Sequence, residues 1–374
     1  MNRIENIDLT NKTVILRCDF NVPIKDNIIE DPTRIEKSLK TINYLLNKNC
    51  KIVILSHLGR IEKENDKQSN SLLPVAHKLS KLLNKQIIFI NACYGQEIYN
   101  IVKEKPLGSI ILLENTRFMD IPNKLESNNN QELSKYWASL GDIYINDAFG
   151  VCHRAHASTA GIANYLPSAI GFLVEEELDN LNKLVNVQEH PYTIFMGGAK
   201  IEDKLPLIES ILPKCDYLLT GGGIANSFLK AKGIDVKDSL ATNNLELLNK
   251  IKELLITYKD KIILPEDYVI DDNKILDIGL NTINNYNKYI MNSKLIFING
   301  TPGLFEQEKY SNGTKEIFNT LKNSNATVIV GGGDTLNASQ KLGYDKCFSF
   351  YSSGGGATLE YIASGTLKAF EAMK

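Results

Sequence analysis

Four glycine clusters follow predicted strands in the second half of the chain: Gly197-Gly198, Gly221-Gly222-Gly223, Gly331-Gly332-Gly333 and Gly354-Gly355-Gly356. A residue without a side chain lets backbone N–H groups approach a phosphate, and a helix beginning there adds its positive end. One such turn is commonly no more than a tight turn; four in one half point to a polyphosphate ligand. Lys200 and Lys204 follow the first cluster four residues apart, on one face if that turn is helical, where they would sit over the same phosphates. Asp334 and Thr335 follow the third cluster. A carboxylate in that place either caps the helix or holds Mg²⁺ on nucleotide phosphates, and without another acidic cluster nearby the metal is the favoured reading. The chain lacks the Gly-Lys of a Walker A loop, and no triplet extends to Gly-x-Gly-x-x-Gly, which disfavours a dinucleotide oxidoreductase.

The first half presents a different chemistry. Of 42 basic residues only six are Arg (Arg3, Arg17, Arg34, Arg60, Arg117 and Arg154), and all precede residue 155. In a chain that uses Lys elsewhere, the retained guanidinium groups mark places where a planar fork is needed to grip phosphate or carboxylate. They lie in the segments RCDFN, DPTRI, SHLGR, ENTRF and NDAFGVCHRAHAS, which also supply Asp19, Asn21, His57, His153 and His156. Arg3 and Arg17 are read as surface residues. His153-x-x-His156 has the spacing of a metal pair but no third ligand motif, so anion binding or local structure is preferred over zinc.

These groups need a scaffold, and composition sets its class. A chain of 374 residues exceeds what one core usually supports, so two domains are expected. A net charge of −2 gives no reason to expect nucleic acid, and the absence of a long apolar run argues against a membrane span; small-molecule ligands and a cytoplasmic location are expected. Six scattered cysteines without a Cys-x-x-Cys pair read as reduced thiols near the cores.

Short β-branched runs alternate with amphipathic stretches, the pattern of an α/β protein with parallel sheets covered by helices. Strands are predicted at 13–18, 51–56, 86–90, 109–113 and 142–146, then at 192–196, 216–220, 261–264, 294–299, 326–330 and 347–351. Asp31-Pro32 opens a helix to about Lys48, and Ser71 starts another. The helical period after Pro167 marks the bridge between halves.

Taken in order, DFNVP, SHLGR, ENTRF, NDAF with HRAH, GGAK, NG with GLFE, GGGDT and SSGGGATLE resemble the phosphoglycerate kinase family over essentially the whole chain. The resemblance implies two Rossmann-like lobes joined by a hinge helix: residues 1–167 for 3-phosphoglycerate, 168–187 as hinge, 188–355 for nucleotide, and 356–374 returning toward the first lobe. It further implies a monomer that moves the acyl phosphate of 1,3-bisphosphoglycerate to ADP, reversibly, giving 3-phosphoglycerate and ATP with Mg²⁺. By similarity Asp19, Asn21, Arg34, His57, Arg60, Arg117 and Arg154 face the glycerate substrate. Lys200, Lys204, Gly221, Gly222, Asn299, Glu306, Gly331, Gly332, Gly333, Asp334 and Thr335 serve the nucleotide, with Asp334 on the metal. Arg34 and Lys200, helped by the helix ends at Gly333 and Gly356, carry the charge of the migrating group. The chain departs from the family pattern at Ile61, at Thr301 after Asn299-Gly300, at Ser353, and at Leu367-Lys368-Ala369, which bear on the 299–303 loop and the docking of the C-terminus. An inactive scaffold would be expected to have lost Arg34, Lys200 or Asp334, and all three are present.

Overall fold

A computed structural model describes residues 1–373. The chain divides into two units, one formed by residues 1–178 with the chain from Thr366 on, the other by Asp179–Gly365.

The first unit is built on a seven-stranded sheet in the order Asn2–Arg3, Ser168–Ile170, Ile143–Asp147, Thr13–Cys18, Lys51–Leu55, Ile110–Leu113, Ile87–Ile90. Every neighbouring pair is parallel. Parallel sheets are covered on both faces, which is why TVILRC and KIVIL read as unbroken apolar runs rather than alternating ones. On one face Val14, Leu16, Ile52, Ile54, Ile110 and Leu112 pack with Ile35, Ile42 and Leu45 of helix Thr33–Asn47 and Val75 and Leu79 of helix Leu73–Leu83. Truncating one of these, such as Ile54→Ala, would cost about 2–5 kcal/mol. Helix Thr33–Asn47 is set by Asp31, whose carboxylate accepts from the Thr33 amide at 2.9 Å and from its hydroxyl at 2.5 Å; these bonds hold the Asp31 carboxyl below its ordinary range. The start of the helix carries Arg34.

The second unit has a six-stranded parallel sheet in the order Ile262–Ile263, Tyr217–Thr220, Tyr192–Met196, Leu295–Asn299, Thr327–Gly331, Phe350–Tyr351. Phe195, Ile296, Ile298, Val328 and Val330 meet Ile283, Tyr286, Ile317 and Phe318 from helices Leu280–Asn292 and Asn312–Asn323. The Tyr286 hydroxyl, inside this core, donates to Thr220 O at 2.8 Å, so burial leaves no polar loss there. The glycine turns leave the carboxyl ends of these strands, as ligand sites in open α/β sheets do.

The sequence pattern missed several elements. Residues 168–170, assigned to the bridging helix, form a strand that joins the first sheet, and that helix is Phe172–Val185. The chain division at 178 falls inside it. Asp147 explains the later start: its Oδ1 accepts from Leu173 N at 2.9 Å, a capping bond contributed by the neighbouring strand end rather than by a local residue. Asn2–Arg3 is too short to show a period. Only Phe350–Tyr351 of the expected 347–351 strand pairs. At the C-terminus, helix Lys368–Ala372 docks on the first unit: Ala369 N donates to Cys152 O at 3.0 Å, and the rings of Phe370 and Phe149 lie 6.3 Å apart. The departure at Leu367-Lys368-Ala369 leaves this docking in place, since Leu367 and Ala369 are buried.

Candidate functional site

The first unit gathers cations around the ends of three strands and the start of a helix. Arg17, expected at the surface, is the main correction: it is 0% exposed. It is the last but one residue of the central strand Thr13–Cys18. Its Nε donates to Ser158 Oγ at 2.8 Å, its Nη2 to His57 Nδ1 at 3.3 Å, and its Nη1 to Cys18 O. His57 follows the next strand and is buried. Arg117 sits in a 3₁₀ turn opened by Asn115, whose side chain accepts from Arg117 N at 3.1 Å. Arg117 is 9% exposed and its covered Nε has no hydrogen-bond partner.

Arg34, Asp19 and Asn21 form a second tier. Arg34 Nη1 donates to Asp19 Oδ2 at 2.9 Å and to Asn21 O at 3.2 Å, while Asn21 Oδ1 accepts from Gly59 N at 2.9 Å. Arg154 is exposed, with Nε donating to His153 Nε2 at 3.1 Å. Arg60 follows Gly59 on the surface, and no bond joins its side chain to the cluster among the described residues. Ile61, buried beside it, keeps that turn anchored despite the departure in residue type.

Electrostatics gives the cluster its character. Burial, then the charges of Arg17 and Arg117, hold His57 well below the histidine range. Burial and the same two arginines push His156 down to about 3. Its Nδ1 lies 3.9 Å from Glu126 Oε1, but a ring kept neutral this strongly is no ion-pair partner. Arg117 itself is lowered by burial and by Arg154. Groups that disfavour one another's charge so consistently are suited to an anion, which would reverse the sign of their surroundings.

The second unit works with backbone instead. A side chain at Gly223 would meet Ala199 O at 2.1 Å, so the second glycine cluster exists to let the 197–199 loop lie against helix Gly222–Ala231. Gly221 packs likewise on Pro302. Gly332 adopts φ +90°, a left-handed conformation, where a side chain would also strike Asn299 Nδ2 at 2.5 Å. Gly333 and Gly356 differ: nothing lies within 4 Å of a side chain placed at either. Each begins a nine-residue helix, Gly333–Lys341 and Gly356–Ser364. The four clusters therefore split, two of them holding loops together and two presenting helix starts to open space.

Asn299 and Thr335 brace this arrangement. Asn299 Nδ2 donates to Gly331 O at 2.9 Å; Thr335 Oγ1 accepts from Gly300 N at 2.6 Å and donates to Gly331 O at 3.0 Å. Thr301 ties the loop further, accepting from Gly198 N at 3.1 Å, so the 299–303 segment stays ordered without the family's usual residue. Lys204 Nζ donates to Gly197 O at 2.7 Å, and burial pulls its ammonium down to about 8, opposed by Asp334 and Asp203. Lys200 is exposed; residues 201–204 form a turn, so the helical spacing expected for the two lysines does not exist. The Asp334 carboxylate takes no hydrogen bond from the described residues, which removes the capping role as its explanation. Glu306 is exposed, and its carbonyl accepts from Lys341 Nζ at 2.9 Å.

Between these groups lies a cavity of about 190 Å³, lined by Leu240, Ile275, Leu276, Leu304 and Phe305 and by Gly222, Glu306 and Asp334. Apolar walls meeting glycines and a carboxylate suit a flat base carrying phosphates. A larger groove, about 900 Å³, runs by edge strand Ile262–Ile263 among Ile234, Ile256, Tyr268 and Tyr289. Neither the glycine turns nor Asp334 border it, whereas Gly198, Gly222, Gly223 and Asp334 line the smaller cavity, so chemistry selects the smaller one. Among the described residues no group of three His, Cys, Asp or Glu could enclose a metal, and no helix is long and apolar enough to cross a membrane.

The model of the family described as phosphoglycerate kinase matches residues 4–365. Phosphoglycerate kinase of Fusobacterium nucleatum is 42% identical over 393 residues, covering 99% of this chain and 98% of that protein. That of Listeria innocua is 42% identical over 380 residues, with 96% and 95% covered. Among solved structures, phosphoglycerate kinase from Coxiella burnetii has a TM-score of 0.89 at 36% identity, covering 99% of this chain and 98% of its own. The enzyme from Pyrococcus horikoshii gives 0.84 at 32% identity, covering 100% and 98%.

Proposed function

The chain belongs to the phosphoglycerate kinase family, and from that premise we propose that it transfers the acyl phosphate of 1,3-bisphosphoglycerate to ADP, reversibly, giving 3-phosphoglycerate and ATP. The observation that carries this reading is the crowding of buried Arg17 and Arg117 with neutral His57 and His156, together with the unpartnered Arg117 Nε. Such a site needs an anion, and 3-phosphoglycerate supplies a phosphate and a carboxylate. We assign it to the first unit, with Arg117, Arg154 and His57 on the phosphate and Arg34, Asp19 and Asn21 toward the glycerate; Arg60 completes the rim. The nucleotide goes to the second unit, its base in the cavity beside Leu304 and Phe305 and its phosphates toward Lys204 and Gly333.

In the direction of ATP use, a carboxylate oxygen of 3-phosphoglycerate attacks the γ-phosphorus and the bond to the ADP oxygen breaks. The attacking carboxylate is ionised at neutral pH, so no general base is required. What remains is positioning and charge. Arg34 offers a fork already held by Asp19 and Asn21. Exposed Lys200 is free to follow the migrating group. The open helix starts at Gly333 and Gly356 add backbone N–H groups at no steric cost. Mg²⁺ takes one or two carboxylates together with phosphate oxygens, and the unbonded Asp334 carboxylate fits that donor set. When bound, the ion neutralises phosphate charge. We further propose a cytoplasmic monomer, as befits a glycolytic enzyme of this family.

A coupled assay tests the function: ATP formation from 1,3-bisphosphoglycerate and ADP, with NAD reduction as control. Turnover that needs both substrates supports the reading; its absence in a folded, nucleotide-binding protein would overturn it.

A further inference from the structure

One chain of hydrogen bonds begins on a buried carboxylate that is itself no proposed substrate contact and ends on a side chain that is. Glu126, in the loop before helix Gln131–Ala138, is 0% exposed. Its Oε2 accepts from Ser158 N at 2.9 Å and its Oε1 from the Ser158 hydroxyl. Ser158 Oγ in turn accepts from Arg17 Nε at 2.8 Å, and Arg17 Nη2 reaches His57 Nδ1 at 3.3 Å. The direction of every bond is fixed by what the groups are. A guanidinium has donors only, so both Ser158 Oγ and His57 Nδ1 must accept from Arg17. The Ser158 hydroxyl has one proton, and with Arg17 on its lone pair that proton goes to Glu126. His57 Nδ1, as an acceptor, carries no proton, which leaves the ring hydrogen on Nε2.

We propose that Glu126, acting through Ser158 and Arg17, is a positioning residue that holds His57 as the neutral Nε2–H tautomer, making that N–H a fixed donor toward the substrate phosphate. The tautomer assignment stands on the bonds themselves; the donor role rests on the functional reading above. A ring free to choose would exchange its two neutral forms and present Nε2 as an acceptor part of the time, repelling a phosphate oxygen. Arg17 is the fixed point, because Nη1 is also tied to Cys18 O. Glu126 supplies the negative end that makes a buried guanidinium tolerable at this depth. Arg17, Arg117, His156 and Arg34 all face His57 and oppose a second proton on it. Among the described residues none bonds to His57 Nε2, so its hydrogen is available.

The test is ¹⁵N-histidine NMR on the full chain, with His57 assigned by His57→Gln. The expected spectrum between pH 6 and 8 shows a proton on Nε2 and an unprotonated, hydrogen-bonded Nδ1. Ser158→Ala breaks the chain at its middle and should mix the two tautomers while raising the 3-phosphoglycerate Kd roughly tenfold. Ser158→Thr, which restores the hydroxyl, should return the wild-type His57 signals, an outcome a purely structural role would not produce. Glu126→Gln should shift the same resonances. A wild-type His57 that carries its proton on Nδ1 or is charged at pH 7 would overturn the proposal, even if no variant folds. So would His57 signals unchanged in folded Ser158→Ala. If the tautomer is as stated but 3-phosphoglycerate leaves the Nε2–H signal unmoved, the functional reading fails while the tautomer assignment stands.

Discussion

As proposed, the two units would receive anions by opposite means. In the first, side chains converge: Arg17 and Arg117 are almost wholly enclosed with neutral His57 and His156 beside them, while Arg34 is partly exposed and Arg154 exposed at the edge. In the second, the donors would be backbone N–H groups at open helix starts, with charge from half-buried Lys204 and exposed Lys200. Side chains allow a planar fork to match one particular phosphate and carboxylate. Backbone glycines grip any polyphosphate and leave selectivity to the apolar cavity beside them. A substrate of fixed shape and a cofactor recognised by its base call for these two solutions respectively.

The comparison breaks first at Arg34. If its fork acts on the migrating group, Arg34→Lys should lose at least ~10²-fold of kcat with much smaller change in KM, because lysine keeps the charge but not the two-point contact. Steady-state kinetics in both directions measures it. A normal kcat with weakened 3-phosphoglycerate binding would make Arg34 a binding residue only.

Glycine substitutions sharpen the division inside the second unit. Gly223→Ala must displace the Ala199 carbonyl and should destabilise that unit by about 1–3 kcal/mol in urea unfolding. Gly356→Ala meets open space, so its stability should change by less than about 0.5 kcal/mol while turnover falls. Equal effects on stability would erase the distinction between loop-packing and ligand-facing clusters.

Lys204 gives the pH dependence. Burial pulls its ammonium down to about 8, so if that charge attracts nucleotide phosphates it is present below that value and lost as pH rises through it. Affinity for ADP should weaken roughly tenfold above pH 8, and Lys204→Arg should flatten that profile. Calorimetric titration at several pH values reads it directly.

The smallest effect concerns how helices start. Asp147 of the first unit caps helix Phe172–Val185, whereas helices Gly333–Lys341 and Gly356–Ser364 of the second start on bare glycine without a side-chain cap. Burial raises the Asp147 carboxyl to about 6, above its unfolded 3.8, so folding favours its protonated form. Its contribution is complete below about pH 4 and lost as pH rises through 6. Asp147→Asn should remove that slope from thermal melts taken between pH 4 and 6.

What the sequence discloses follows from how local each cause is. The parallel sheets were legible because strands buried on both faces are continuous apolar runs, as in TVILRC and LIFIN. The glycine turns were legible for the same reason: a strand end followed by residues without side chains is a local signal. Strand Ser168–Ile170 was not, since three residues carry no period and their partner lies across the sheet. Arg17 was misread because an exposed Arg is the default. Yet a guanidinium inside an otherwise apolar strand was a sign of burial, and that sign was in the residues. Glu126 and Ser158 had no such mark; their roles exist only through a contact spanning 32 residues of chain. Nor does any sequence pattern tell the packed Gly223 from the open Gly356, because the difference is made by Ala199, a neighbour on another loop.

The central claim is that the buried side-chain cluster of the first unit takes the phosphoglycerate and the glycine turns of the second take the nucleotide. Titration calorimetry of 3-phosphoglycerate and of MgADP into the wild-type chain and into Arg117→Ala tests it most directly. The account predicts that Arg117→Ala weakens 3-phosphoglycerate roughly tenfold to a hundredfold and leaves MgADP within about twofold. If both ligands weaken together, or if 3-phosphoglycerate binds the variant as it binds the wild type, the division of labour between the units is wrong.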